Sequence, residues 1–154
     1  MNAMKIVVTL ALSVCGAAAC FAAEGNQEIW KLDEAKSTLI PGMAKDTTLT
    51  YTTKGDQFKI VADGVSATGK PRHSVWNGKF DGKDYPVSGD PASDARSYRI
   101  AGDRALEIIV KKAAKTVATG EVTVARGGHT RTFVLTFTGA DGKTATSTAV
   151  YERQ

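Results

Sequence analysis

Cysteine is what this 154-residue chain most nearly lacks: Cys15 and Cys20 are the only two, and both lie within the first 22 residues. Everything after residue 22 has no thiol for a disulfide, a thiolate metal site or a cysteine nucleophile, and must hold its shape by core packing. Histidine is equally scarce. His73 and His129 stand singly beside expected turns, without His-x-His or His-x-x-x-His spacing, so they offer a metal at most a partial ligand set. No Gly-x-Ser-x-Gly elbow occurs, and no glycine-rich phosphate loop or dinucleotide fingerprint precedes a helix, so hydrolase and nucleotide chemistry lack their usual signatures. We expect neither a metal nor a cofactor, and no enzyme.

The apolar run at residues 6–15 covers about ten residues, against the ~20 that a helix needs to cross a bilayer. It follows Lys5 and precedes the small residues Ala17, Ala18, Ala19 and Ala22, the order of a secretory signal. Residues 1–22 are expected to be removed by a cut after Ala22, leaving one domain over 23–154 that is secreted, most simply to the periplasm, with no membrane span. Lipidation at Cys20 is the rival reading of the same stretch, with Ala17 and Phe21 weighing against it. The formal net charge is +4, and beyond the signal the charges alternate in sign. The densest basic stretch, Lys111, Lys112 and Lys115, has no interleaved aromatics on which bases could stack, which argues against nucleic acid as a partner.

What the chain does have is a ladder of alternating apolar and polar residues, closed by a glycine turn about every 8–12 residues. A first strand is expected at 27–33, with either Ile29 or the pair Trp30 and Leu32 turned inward. One helical turn at 33–37, capped by Asp33, should end before Pro41-Gly42. Further strands are expected at 47–53, 57–67, 73–80, 95–100, 105–111, 116–126, 131–138 and 144–153. In the second of these Phe58, Ile60 and Ala62 share one face. Residues 84–87, short and marked by Pro86, read as an edge segment. Leu106, Ile109, Val110, Ala113, Ala114 and Val117 also fit a helical stripe. The β-branched run Ile108-Ile109-Val110 and the poor helix formers Thr116 and Thr119 favour strand, turn, strand there.

Such a succession of hairpins, without long crossovers, predicts an all-β fold: an antiparallel up-and-down barrel of about eight to ten strands. A Greek-key sandwich would need longer returns than these linkers allow. Inside a barrel Tyr51, Phe58, Trp76, Phe80, Phe133 and Phe137 can converge with Ile60, Leu106, Val122 and Leu135 to line a cavity. Arg72, Arg96, Arg99 and Arg131 could then hold an acidic head group at its mouth. Side chains could equally fill the centre. Asp81, Asp84, Asp90 and Asp94 invite a calcium reading, but their spacing is not that of a calcium loop and aspartates serve turns in their own right.

Several segments carry a resemblance: 30–37 (WKLDEAKS), Pro41-Gly42, 48–51 (TLTY), 63–71 (DGVSATGKP), 81–91 (DGKDYPVSGDP) and Val150-Tyr151. They are similar to small secreted bacterial proteins described as lipocalin-like, over almost the whole of residues 23–154. The resemblance implies a calycin-type barrel. Lipocalins open with Gly-x-Trp, the indole closing the barrel base beneath an arginine from near the chain end. Trp30 matches, Glu28 stands at the glycine position, and Arg153 or Arg131 is the candidate barrel-closing cation. The expected function is non-catalytic binding of a small apolar or amphipathic ligand. The alternative is a solid-centred barrel serving as an envelope interaction module.

Overall fold

The computed structural model of the protein describes residues 27–154. The expected signal peptide, with Cys15, Cys20 and the cut after Ala22, lies outside the described residues. Ten strands follow one another: β1 (Gln27–Leu32), β2 (Lys45–Lys54), β3 (Gln57–Val65), β4 (Pro71–Gly78), β5 (Tyr85–Ser88), β6 (Ala95–Gly102), β7 (Ala105–Lys112), β8 (Lys115–Val124), β9 (Thr130–Thr138) and β10 (Thr144–Arg153). Each pairs antiparallel with the next, and β1 pairs with β10, so the meander shuts into an all-β barrel. Closure gives every strand two neighbours and leaves no open edge.

Alternation sets which side chains face in. Along β1 Glu28 and Trp30 are buried while Ile29 is exposed, which selects the Trp30 face over the Ile29 face. Phe58, Ile60 and Ala62 of β3 are all buried. The turn after β1 is a short 3-10 helix at Glu34–Lys36, where Asp33 Oδ1 accepts from the Lys36 backbone N–H at 3.2 Å.

Two readings are settled by the pairing. β5 is not an edge: it joins β4 through Trp76↔Val87 and β6 through Tyr85↔Arg96. Its four residues still make it the thinnest seam of the barrel wall, because Pro86 has no N–H to give to a ladder. Residues 106–117 are strand, turn, strand, not helix. Lys112 pairs with Lys115 around Ala113 and Ala114, whose φ values of 48° and 63° both lie in the left-handed region. A two-residue hairpin with that geometry matches the right-handed twist of its strands. Just beyond it Val110 pairs with Ala118 and Lys111 with Thr116, so Val117 is the extra residue of a bulge.

Candidate functional site

The barrel is stoppered at one end. Phe80, arriving from the 79–84 connection, stacks on Phe58 at 3.8 Å between ring centres, with Trp76 at 6.1 Å and Tyr98 at 5.7 Å. Leu106 and Val122 pack into the same end. Beside them Arg131, wholly buried, lies 4.2 Å from the Trp30 ring centre and 3.8 Å from that of Tyr51. Arg153 does not cap the indole. It reaches Glu28 at 3.0 Å, so Glu28 supplies a carboxylate to both Arg153 and, at 3.9 Å, Arg131.

The opposite end is open, and a cavity of about 560 Å³ runs in from it. Of the residues singled out as lining, Tyr51, Ile60, Trp76, Phe133, Leu135 and Phe137 border this space. Phe58, Phe80, Leu106 and Val122 do not: they belong to the stopper beneath it. The reason is axial position, since Phe58, Leu106 and Val122 are buried toward the closed end of their strands and Phe80 enters from the connection at that end. At the mouth Leu39, Ile40 and Met43 of the 38–44 connection add an apolar lip.

Of the four arginines expected around an acidic head, two reach the cavity. Arg72 from β4 and Arg96 from β6 form part of its wall. Arg99 is exposed and paired with Glu107, and Arg131 belongs to the stopper. Arg72 and Arg96 are tied together by Asp90, 5% exposed, whose Oδ2 accepts from Arg96 Nη2 at 2.8 Å and forms an ion pair with Arg72 Nη2 at 3.0 Å. The Ser93 hydroxyl donates to the same oxygen, and the Ala92 N–H to Oδ1 at 3.0 Å. Arg72 also pairs with Asp46. Burial alone would raise the Asp90 carboxyl, but Ser93, Arg72, the Ala92 amide and Arg96 together hold it below the ordinary carboxylate value.

Two phenols face the same region. Burial pushes Tyr98 up to about 12, and pushes Tyr151 up further still. Both stay protonated at any physiological pH, and Tyr151 donates to the Asp46 carbonyl at 2.9 Å. Sequence reasoning missed Asp46, Ser93, Tyr98, Tyr151 and the apolar lip. Tyr98 had a local signal, being inward by alternation within β6; the others are brought to the cavity by loops and by strands distant in sequence.

The remaining aspartates go separate ways. Asp81 accepts from the Lys83 amide and the Tyr85 hydroxyl, each at 3.0 Å, Asp84 pairs with Lys111 at 2.6 Å, and Asp94 accepts from the Ala113 N–H at 2.8 Å. His73 lies exposed, 2.6 Å from Asp63. Among the described residues no three His, Cys, Asp or Glu side chains gather as metal ligands. No helix among them is long and apolar enough to cross a membrane. No protein-family model matches the chain, and neither does any curated protein. The functional reading thus rests on the cavity itself.

Proposed function

We propose that this protein is a secreted, periplasmic container of the lipocalin-like kind, binding a small apolar or amphipathic molecule without chemically changing it. The observation that carries the reading is the cavity: about 560 Å³, shut below and open above, with a mainly apolar wall and one polar cluster. Small-molecule sites of this kind span about 300–1,000 Å³ and combine apolar lining with a few placed polar groups. A cavity of this size favours the container over the solid-centred interaction module, which calls for a filled interior.

Native mass spectrometry of the protein purified from its own envelope tests the proposal. Displacement of an environment-sensitive fluorescent dye by a panel of fatty acids, isoprenoids and apolar esters complements it. A co-purified small molecule, or saturable one-to-one displacement, is expected. A clean apo mass together with no displacement across the panel would remove the container reading.

A further inference from the structure

The connection from β1 to β2 ends in Leu39-Ile40-Pro41-Gly42-Met43-Ala44, six residues in a row without a charge or a hydrogen-bonding side chain. Pro41, Gly42, Met43 and Ala44 are all exposed, Met43 at 40%. Gly42, at φ 78°, turns the chain here, and the Met43 N–H donates to the Ile40 carbonyl at 3.4 Å. Loops on a free surface are ordinarily polar, and an exposed apolar run of this length is unfavourable in water unless something covers it. Lining the cavity explains Leu39 and Ile40. It does not explain Pro41, which borders no part of the cavity but a second hollow of about 260 Å³ beside the same loop.

Barrel closure decides what flanks this loop. Connections at the open end alternate with those at the closed end, so its neighbours around the rim are the turn from β3 to β4, 66–70, and the turn from β9 to β10, 139–143. Each carries a lysine. Lys70 is exposed and forms no ion pair with any described residue. Lys143 is 88% exposed, in a loose 3.4 Å pair with Asp141, the one acidic residue on the two turns. Lys45 stands at the foot of the loop itself. Farther round the same rim, Lys112 and Lys115 are register partners across the hairpin from β7 to β8, and both are exposed. Like charges set directly opposite repel, and an external anion relieves that repulsion.

We propose that the open rim docks on an anionic lipid bilayer, with the 39–44 loop entering the headgroup layer and the lysines around it meeting lipid phosphates. An apolar element ringed by lysines is the composition that holds a protein at a membrane surface, the two contributions adding. Other occupants fit less well. A protein partner is fixed in register by hydrogen bonds, and residues 39–44 have no side chain to give or accept one. A second copy, placed lip to lip, would bring two sets of lysines together. Docking also sets the cavity mouth against hydrocarbon, so an apolar ligand passes between bilayer and barrel without crossing water. The proposal goes beyond the container reading, and vesicle binding tests it with no ligand present.

Flotation of the secreted protein with vesicles, at low ionic strength and neutral pH, is the test. Vesicles of phosphatidylcholine and phosphatidylglycerol in equal parts are expected to bind at least about tenfold more tightly than phosphatidylcholine alone. Salt at about 0.5 M should remove most of that advantage. Lys70→Glu should weaken binding to the anionic vesicles by about fivefold or more, and Met43→Asp, which puts a charge into the apolar loop, by at least about as much. Circular dichroism checks that both variants keep the barrel. Absence of flotation with anionic vesicles would overturn the proposal, and so would equal binding to the two vesicle types. Undiminished binding by Met43→Asp would overturn it in favour of adsorption by charge alone. Dimers that Met43→Asp disperses, seen by light scattering in a protein that does not float, would give the lip to a second copy instead. Should the aspartate variant not fold, the vesicle comparison and the salt series on the unmodified protein still decide. Failure here leaves the container reading standing, because no step of the test loads the cavity.

Discussion

The guanidinium of Arg131 lies 4.2 Å from the ring centre of Trp30, with the last strand of the barrel running between the strands that carry them. The contact therefore spans the seam where β10 meets β1. Tyr51 on β2 extends it at 3.8 Å, and Glu28 on β1 adds a nearly buried carboxylate, 6% exposed. Two strands from the start of the barrel, β1 and β2, are thereby pinned to β9 at the closed end by one cation.

Arg131→Met should accordingly destabilise the protein by about 3 kcal/mol, through loss of the cation–aromatic contacts and of a partner for Glu28. Arg131→Lys, which keeps the charge but loses the planar group, is expected to fall between the two. Urea denaturation followed by tryptophan fluorescence measures both. A change below about 0.5 kcal/mol in the methionine variant would show that the seam is held by the ladder alone.

Much of this architecture is written locally. Alternation in 57–65 and 130–138 and glycine turns such as Lys54-Gly55-Asp56 specify hairpins from neighbouring residues, so the meander is legible strand by strand. Closure is not local: the Trp30↔Arg153 pairing joins opposite ends of the barrel sequence. Pro86 made β5 look like an edge because its missing N–H is visible in sequence, whereas its second neighbour is not. The cavity is further out of reach. Whether Phe58 and Phe80 fill the centre or only one end depends on where ten strands place their side chains along the barrel axis. Asp90 shows the same divide. Its turn role, accepting from the Ala92 amide, is a local property, while its position between Arg72 and Arg96 comes from the fold.

The hairpin at Ala113 and Ala114 holds two L-residues at positive φ, where a side chain crowds its own backbone at about 1 kcal/mol or more each. Ala114→Gly should raise stability by about 0.5–1 kcal/mol, since relief of that strain exceeds the added freedom of the unfolded chain. Asn at position 113 should act in the same direction. Thermal denaturation reads the effect, and a fall in midpoint would contradict the turn geometry.

Ala149 borders the cavity beside Phe133, its register partner on the neighbouring strand, and as an alanine leaves space there that a larger side chain could occupy. Ala149→Phe is expected to reduce affinity for any apolar probe by at least about tenfold, with a change in stability below about 1.5 kcal/mol, because the new ring enters a void and not a packed centre. Phe80→Ala gives the contrasting case at the stopper. Removing that stacked ring should cost about 3–5 kcal/mol. If the two variants lost stability equally, the distinction between a packed end and an open one would fail.

The Asp90 carboxylate, held between two guanidinium groups and a serine hydroxyl, ties stability to pH in a definite direction. Its folded value is depressed below the unfolded one, so its contribution is complete above about pH 4 and disappears as pH falls through the folded value. Asp90→Asn leaves Arg96 without a carboxylate and Arg72 with Asp46 alone, a loss of about 3 kcal/mol near neutral pH. Below about pH 4 the unfolded chain takes up the proton before the native carboxyl does, and below the lower folded value both are protonated, so the stability gap between the two proteins should narrow as acid is added. Urea midpoints measured from neutral pH down to the acid limit of folding follow that gap. A gap that stayed constant to the lowest pH would mean that the side chain acts through its turn hydrogen bonds, which an asparagine can also make, and not through its charge.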